Sequence, residues 1–139
     1  VKNEMQLKQI KFKKQVKGAL LPVWIDKSRL QQALLNLMIN GIQAMPNGGI
    51  LSTILGPGET SDEMRIDVID TGTGIPADQL DFIFDPFFTT KKEGEGTGLG
   101  LSVTYGIIQK HGGRISVKST QGKGTCFSIF LNTRSHNEC

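Results

Sequence analysis

Four neutral amide side chains follow one another along a predicted helix, at intervals of about one turn. They are Gln32, Asn36, Asn40 and Gln43. Residues three or four positions apart share a helix face, and asparagine disfavours a helix interior because it competes for backbone hydrogen bonds. A carboxamide oxygen can ligate a hard cation such as Mg²⁺, but the same stripe could be an ordinary polar surface. The spacing alone leaves both interpretations open.

An aspartate ends a strand face that is otherwise apolar. Alternation along Glu63–Asp70 places Asp70 on the same side as three apolar residues, which are Met64, Ile66 and Val68. A half-buried carboxylate needs hydrogen-bond donors. These could be backbone groups of the following turn or a ligand amine, such as the exocyclic amine of adenine. Gly72 and Gly74 would let a flat ring approach the backbone closely.

Alternating glycines in the sequence GEGTGLGL, residues 94–101, lead directly into a predicted helix. Backbone N–H groups at a helix start, together with the positive end of the helix dipole, form a phosphate site. Lys91 and Lys92 precede these glycines and could supply positive charge, or could simply be solvated. Neither G-x-G-x-x-G nor G-x-x-x-x-G-K-[ST] occurs in the chain, which argues against Rossmann and P-loop nucleotide sites.

The elements that would position these groups alternate between strands and helices. Asp26 is a good N-cap for a helix from Lys27 to about Met45, and a second helix is predicted from about Leu99 to Lys110. Strands are predicted at Gln9–Val16, Leu21–Ile25, Ile50–Leu55, Glu63–Asp70, Arg114–Ser119 and Thr125–Leu131, with an irregular stretch at Thr71–Gly98. This order predicts an α/β (α+β) two-layer sandwich, with a mixed, largely antiparallel sheet covered on one face by helices.

Composition excludes several other classes of protein. A chain of 139 residues with 37% hydrophobic and 21% charged residues fits one folded domain. The net charge of +3 is not gathered into a long basic stripe, so nucleic acid is not an expected partner. No apolar stretch reaches the roughly 20 residues of a membrane span. Two cysteines make no disulfide framework or CxxC pair, and a reducing, cytoplasmic setting is expected.

The motifs together resemble the ATP-binding catalytic domain of sensor histidine kinases, within the gyrase, HSP90, histidine kinase and MutL superfamily. Asn36–Ala44 is similar to the N box, Asp70–Ile75 to the first glycine box and Phe84–Lys91 to the F box. Gly96–Leu101 resembles the second glycine box and Gly122–Thr125 the short third one. The resemblance covers roughly Gln9–Leu131 and is most like the nitrogen-regulation type.

The resemblance implies ATP and Mg²⁺ as ligands, with Asn40 ligating the metal and Asp70 accepting from the adenine amine. It implies a catalytic set of Asn36, Asn40 and Lys91. The implied nucleotide-binding set is Asn40, Gln43, Ala44, Asp70, Gly72, Gly74, Ile75, Lys91, Gly96, Thr97, Gly98, Leu99, Gly100, Leu101 and Thr125. Gln43 departs from the family pattern, which often has Lys at this position.

The family also implies partners, namely a histidine-containing dimerisation domain of the same kinase and the receiver domain of a response regulator. The full-length protein would be a homodimer, with residues 1–8 leading in from the dimerisation domain, 9–133 forming the ATP-binding domain and 134–139 a polar tail. His111 precedes glycine and His136 precedes asparagine, whereas the family's phosphorylated histidine is usually followed by an acidic residue. The chain is therefore expected to carry only the ATP half of the reaction.

Two alternatives compete with a kinase. Gyrase-, HSP90- or MutL-like ATPases use a carboxylate base one turn before the Mg²⁺-ligating asparagine, where this chain has Asn36, and an amide is no useful base. A non-catalytic interaction domain would not need Asp70, Asn40 and the glycines.

Finally, Thr89–Thr97 contains no apolar residue, which predicts an ATP lid that is mobile without ligand and ordered by phosphates.

Overall fold

A computed structural model of the chain describes residues 2–19, 21–23, 25–85 and 100–133. Its elements are, in chain order, helix α1 (Lys2–Leu7), strand β1 (Ile10–Val16), helix α2 (Lys27–Gln43), strands β2 (Gly49–Pro57) and β3 (Glu63–Asp70), a 3₁₀ helix (Ala77–Phe82), helix α3 (Gly100–Lys110), and strands β4 (Arg114–Thr120) and β5 (Gly124–Asn132). The five strands form one sheet in the order β1-β2-β3-β5-β4.

The sheet is mixed and largely antiparallel, as predicted. Among the described strands, only the β1–β2 pairing is parallel, whereas β2–β3, β3–β5 and β4–β5 are antiparallel. Helices α2 and α3 pack together on one face of the sheet and close the core there. Its fully buried members include Ala33, Leu37, Ile42, Leu51, Ile108, Phe127 and Ile129. The predicted two-layer fold class is confirmed.

Helix α2 begins where the sequence indicates. The Asp26 carboxylate accepts hydrogen bonds from the backbone N–H groups of Ser28 at 2.9 Å and Arg29 at 3.3 Å, which satisfies two otherwise unpaired donors of the first turn. The helix ends at Gln43, slightly before the predicted end. Its last turn therefore delivers Asn40, Gln43 and Ala44 to one end of the sheet.

One predicted strand was wrong. The strand predicted at Leu21–Ile25 is absent from the described part of this segment, where Val23 makes only an isolated bridge to Thr133. Pro22 offers no N–H group for a strand ladder. Residues 2–7, within the stretch expected to lead in from a dimerisation domain, form helix α1, and Gln9 (φ 59°) turns the chain into β1. The stretch after β3 also contains the 3₁₀ helix, which the sequence did not predict.

A cavity of about 300 Å³ lies between the edge strand β1 and helix α2. Phe12 and Val16 of β1 line it and remain 43% and 50% exposed. On the α2 side it is lined by Leu34 and Met38. This apolar groove contains none of the residues that the sequence assigned to a site. No described helix is long and apolar enough to cross a membrane.

Candidate functional site

Three chain segments meet at one end of the sheet. They are the last turn of α2, the turn Asp70–Ile75 that follows β3, and the hairpin between β4 and β5. The Thr73 N–H donates to the Ala44 carbonyl at 3.0 Å, and the Gly122 N–H donates to the Thr73 carbonyl at 2.7 Å. Backbone hydrogen bonds thus hold the turn from both sides, so this part of the site is preorganised.

Asp70 is the buried carboxylate of this site, with 5% of its surface exposed. Its Oδ1 accepts the Gly72 N–H at 2.8 Å, which is the Asx-type bond that the sequence left open. Burial raises the pKa of the Asp70 carboxyl, whereas hydrogen bonds from the backbone N–H groups of Gly72 and Thr125 lower it. Position Asp70 pairs with Thr125 across β3 and β5. Backbone donors therefore hold the carboxylate in place where water is scarce.

Close backbone packing accounts for two of the glycines in the turn. A Cβ at Gly72 would collide with the Ala44 carbonyl, and one at Gly74 would collide with the Thr120 carbonyl. Gly74 also has φ 74°, a left-handed conformation that side chains disfavour. The turn therefore needs both glycines to fit between α2 and the hairpin, whether or not a ring approaches it.

A cluster of hydroxyls adjoins Asp70 on the hairpin side. The Ser119 Oγ accepts the Ile75 N–H at 2.8 Å, lies 2.7 Å from Thr125 Oγ1 and 3.0 Å from the Gly124 carbonyl. Thr125 is 5% exposed. Sequence reasoning included Ile75 and Thr125 but missed Ser119. The available signal was its position, since alternation places Ser119 on the core-facing side of β4 after Ile115 and Val117.

The amide side chains of α2 lie in two different places. Asn36 Nδ2 lies 3.3 Å from the Gly100 carbonyl and 3.4 Å from Thr104 Oγ1, so it donates to the first turn of α3. Asn40 and Gln43 are partly exposed and lie towards the Asp70 end of the helix. Gly41, next to Asn40, lies close to Asp70. A Cβ atom added at Gly41 would be 3.4 Å from the Cβ of Asp70. The structure thus brings Asn40 and Gln43 to the same end of the sheet as Asp70.

The phosphate end of the predicted site is described only from α3 onwards. Gly100 and Leu101 form its first residues and are partly buried, and Leu101 packs against the core. Lys91, Gly96, Thr97, Gly98 and Leu99 lie outside the described residues, as does the lid predicted at Thr89–Thr97. Of the F box, only Phe84 and Asp85 are described. Phe84 contacts the rings of Tyr105 and Phe127, with centroid distances of 5.2 and 6.2 Å.

The donors that the structure describes near Asp70 do not form a protein cage for a metal. Across the described ranges, no group of three or more His, Cys, Asp or Glu side chains could hold an ion. Asn40 offers one neutral carboxamide oxygen, which is the kind of hard oxygen donor that Mg²⁺ accepts. This donor set fits an ion that is carried mainly by phosphates and touched by the protein at one point.

Comparisons with known proteins agree on one family. Residues 25–135 match the family described as "Histidine kinase-, DNA gyrase B-, and HSP90-like ATPase". The chain is 43% identical over 131 residues to the sensor histidine kinase ZraS of Escherichia coli (strain K12), covering 94% of this chain and 27% of that protein. It therefore spans about a quarter of that relative's length.

Two solved structures with a similar fold are histidine kinases. The catalytic domain of histidine kinase ThkA, in a nucleotide-free form, superposes with a TM-score of 0.81 at 32% identity, over 95% of this chain and 86% of that one. Histidine kinase ThkA in complex with the response regulator protein TrrA superposes with a TM-score of 0.78 at 28% identity, over 99% of this chain and 38% of that one. With the motifs and the fold, these matches place the chain in the histidine kinase-, DNA gyrase B- and HSP90-like ATPase family, as a catalytic domain of the sensor histidine kinase kind.

Proposed function

We propose that this chain binds Mg·ATP and presents its γ-phosphoryl group to a histidine on another domain of a sensor histidine kinase. One observation carries the proposal. The Asp70 carboxylate is buried and fixed by backbone N–H groups. It lies at the start of the glycine-containing turn that follows β3 and packs against the end of α2. A desolvated anionic acceptor is suited to the exocyclic amine of adenine, because a charge-assisted hydrogen bond is stronger than a neutral one.

The nucleotide would lie between the Asp70 turn and the start of α3. Adenine would contact Asp70, Gly74 and Ile75, with Thr125 supporting the same end. The phosphates would meet the N–H groups at the start of α3, where the helix dipole favours negative charge. The glycines Gly96 and Gly98 and the cation of Lys91 are assigned to this end by sequence resemblance alone. These residues act by position and charge, which is the main protein contribution to phosphoryl transfer.

Magnesium would arrive with the nucleotide and neutralise phosphate charge. Asn40 would supply the protein's ligand through its carboxamide oxygen, and Gln43 and Ala44 would border the same space. The neutral donor suits this role because Mg²⁺ in phosphate-transfer sites keeps most of its shell from phosphates and water. By holding the ion, Asn40 would help to position the phosphates, and the ion would supply positive charge there.

Transfer to a protein histidine is favoured over attack by water. The position one helical turn before Asn40 carries Asn36, whose amide donates towards the Gly100 carbonyl and Thr104 Oγ1. An amide that donates hydrogen bonds cannot take a proton from water. Asn36 instead fixes the start of α3 against α2, and this supports a phosphate-positioning role for it rather than a role as a base.

The partners follow from the same assignment. The phosphoryl group would pass to a histidine-containing dimerisation domain and then to a response regulator, in keeping with the complex of ThkA with the response regulator TrrA. We infer a homodimeric, cytoplasmic catalytic part for the full-length protein, with no nucleic-acid partner. Magnesium dependence and the identity of the receiver domain are open to direct assay.

Calorimetric titration with a non-hydrolysable ATP analogue and Mg²⁺ tests the nucleotide site. We expect Asp70→Ala to weaken binding about tenfold to 150-fold, because a hydrogen bond to a charged group contributes roughly 1.5–3 kcal/mol. Asp81→Ala is the matched control, since Asp81 is an exposed aspartate of the 3₁₀ helix. Equal affinity of the Asp70→Ala and Asp81→Ala variants would rule out the adenine assignment.

A further inference from the structure

Ser119 lies where the apolar face of β4 meets the candidate site. Ile115 and Val117 on the same face pack against the core, and Ser119 pairs across the strands with Thr125. Thr125 in turn pairs with Asp70. Ser119 is thus one strand removed from the adenine acceptor and is itself only partly buried.

The hydrogen bonds of Ser119 constrain the hydroxyl of Thr125. A serine hydroxyl offers one donor and two lone pairs. The Ile75 N–H at 2.8 Å takes one lone pair, which leaves the hydroxyl proton for either the Gly124 carbonyl at 3.0 Å or Thr125 Oγ1 at 2.7 Å. If it goes to Gly124, Thr125 donates to Ser119, and the Thr125 oxygen keeps its lone pairs to accept from a ligand. If it goes to Thr125, the Thr125 proton becomes available to a ligand.

The same serine also joins the two turns that form the site. Through the Ile75 N–H it holds the end of the Asp70–Ile75 turn, and through Gly124 and Thr125 it holds the hairpin. The approach of these turns is tight, since a Cβ at Gly124 would collide with the Asp70 carbonyl. Loss of the hydroxyl would leave the Ile75 N–H without this acceptor and the Thr125 hydroxyl free to rotate.

We propose that Ser119 is a positioning residue for purine recognition, which sets the donor or acceptor role of the Thr125 hydroxyl and locks the Asp70 turn against the β4–β5 hairpin. This inference rests on the proposed function, because it assigns the purine end of the same nucleotide site. Adenine presents a donor and an acceptor side by side on its pairing edge, and guanine presents the reverse order. A hydroxyl pair with a defined orientation therefore favours one base over the other.

The test is a binding series on the full chain with ATP and GTP analogues. Ser119→Ala should weaken ATP binding about tenfold, the equivalent of one lost hydrogen bond, and should lower the ratio of ATP to GTP affinity. Ser116→Ala is the matched control on the same strand, since Ser116 is exposed and lies on the opposite face. Ser119→Thr and Ser119→Val form a second pair of equal volume, in which only the hydroxyl-bearing variant should retain ATP affinity.

A double-mutant cycle with Thr125→Val separates positioning from a direct contact. If Ser119 acts through Thr125, Ser119→Ala should cost less in the Thr125→Val background than in the wild type. Fully additive losses would overturn the inference, as would equal affinity of the Ser119→Thr and Ser119→Val variants. Failure of the wild-type chain to bind ATP would instead refute the proposed function itself, so the two failures are distinct.

Discussion

Asp70 is an ionisable group, and its burial shifts the pH at which its carboxyl loses its proton. Because burial raises its folded-state pKa above the ordinary value of 3.8, the folded protein holds the proton more tightly than the unfolded chain does. Asp70 therefore contributes stability that is fully present below the unfolded pKa and is lost as pH rises through the folded pKa. Ligand binding has the opposite dependence, since an adenine amine needs the ionised acceptor.

We therefore expect adenosine affinity to fall as pH drops from neutrality through the raised pKa of Asp70. Adenosine is the probe because it has no phosphates whose own titration would interfere. Nuclear magnetic resonance titrations at a series of pH values measure this dependence. An Asp70→Asn variant should bind adenosine weakly and with a flat pH profile over the same range. A wild-type profile without this fall would show that the carboxylate does not receive the amine.

Asn40 is the residue on which the metal assignment depends. Asn40→Ala should remove most of the Mg²⁺ dependence of ATP binding while leaving adenosine affinity within about twofold, because only the phosphate end loses a ligand. Titrations with ATP in the presence of Mg²⁺ or of a chelator measure the difference. Gln32→Ala is the control, since it removes an exposed amide from the same helix. Undiminished Mg²⁺ dependence in Asn40→Ala would contradict the metal role.

At the scale of elements, the site depends on how the last turn of α2 meets β2 and β3. The sequence predicted α2 well because Asp26 is a strong cap and the apolar residues recur at helical spacing. It predicted the burial of Asp70 because strand alternation is strict. It did not predict that Thr73 would bond Ala44 and Gly122, since such contacts join segments distant in the chain and leave no periodic pattern. Ser119 has the alternation signal of its strand, but its bonds to Ile75 and Thr125 join segments whose proximity the sequence does not show.

Gly41 offers a test of this helix–sheet contact. A glycine-to-alanine change within a helix gains up to about 1 kcal/mol from helix propensity. At Gly41 the new Cβ would lie 3.0 Å from the Leu51 Cδ1 atom, so Leu51 must shift by a few tenths of an ångström. We expect Gly41→Ala to raise the free energy of unfolding by less than the full propensity gain.

Gly106→Ala is the matched control for Gly41→Ala. Gly106 lies inside α3, and a Cβ there would meet nothing within 4 Å. The free energy of unfolding of Gly106→Ala should therefore rise by the full helix-propensity gain. Urea denaturation of both variants gives the difference, which is the packing cost at Leu51. A Gly41→Ala variant as stable as Gly106→Ala would mean that Leu51 moves freely and that this contact is loose.

At the scale of the whole molecule, the two faces of the sheet are packed in different ways. Helices α2 and α3 cover the inner face. On the other face, the guanidinium groups of Arg65 and Arg114 lie 5.3 and 3.7 Å from the ring centroid of Phe130, which is 2% exposed.

Fold class was predictable because strand and helix periods differ. Helix α1 was not, because six residues are too few for a periodic pattern.

The histidine that the structure describes is engaged in holding two helices together. The His111 ring lies at the end of α3, with Nδ1 2.8 Å from the Ile107 carbonyl and Nε2 accepting the Asp26 N–H at 3.3 Å. Since a backbone N–H can only donate, Nε2 is the acceptor and Nδ1 carries the proton. A phosphoryl group on Nδ1 would break the bond to the Ile107 carbonyl, and one on Nε2 would break the bond from the Asp26 N–H that joins the end of α3 to the start of α2.

We therefore expect this chain alone to show no phosphohistidine when it is incubated with Mg²⁺ and γ-labelled ATP. Neither ring nitrogen of His111 is available as a nucleophile, and His136 is followed directly by an asparagine rather than by an acidic residue. Gel analysis under alkaline conditions preserves phosphohistidine and provides the measurement, with His136→Ala as a comparison. A labelled band that disappears in His111→Ala would mean that the α2–α3 contact opens during the reaction and that the chain carries its own acceptor, so a separate histidine domain would not be required.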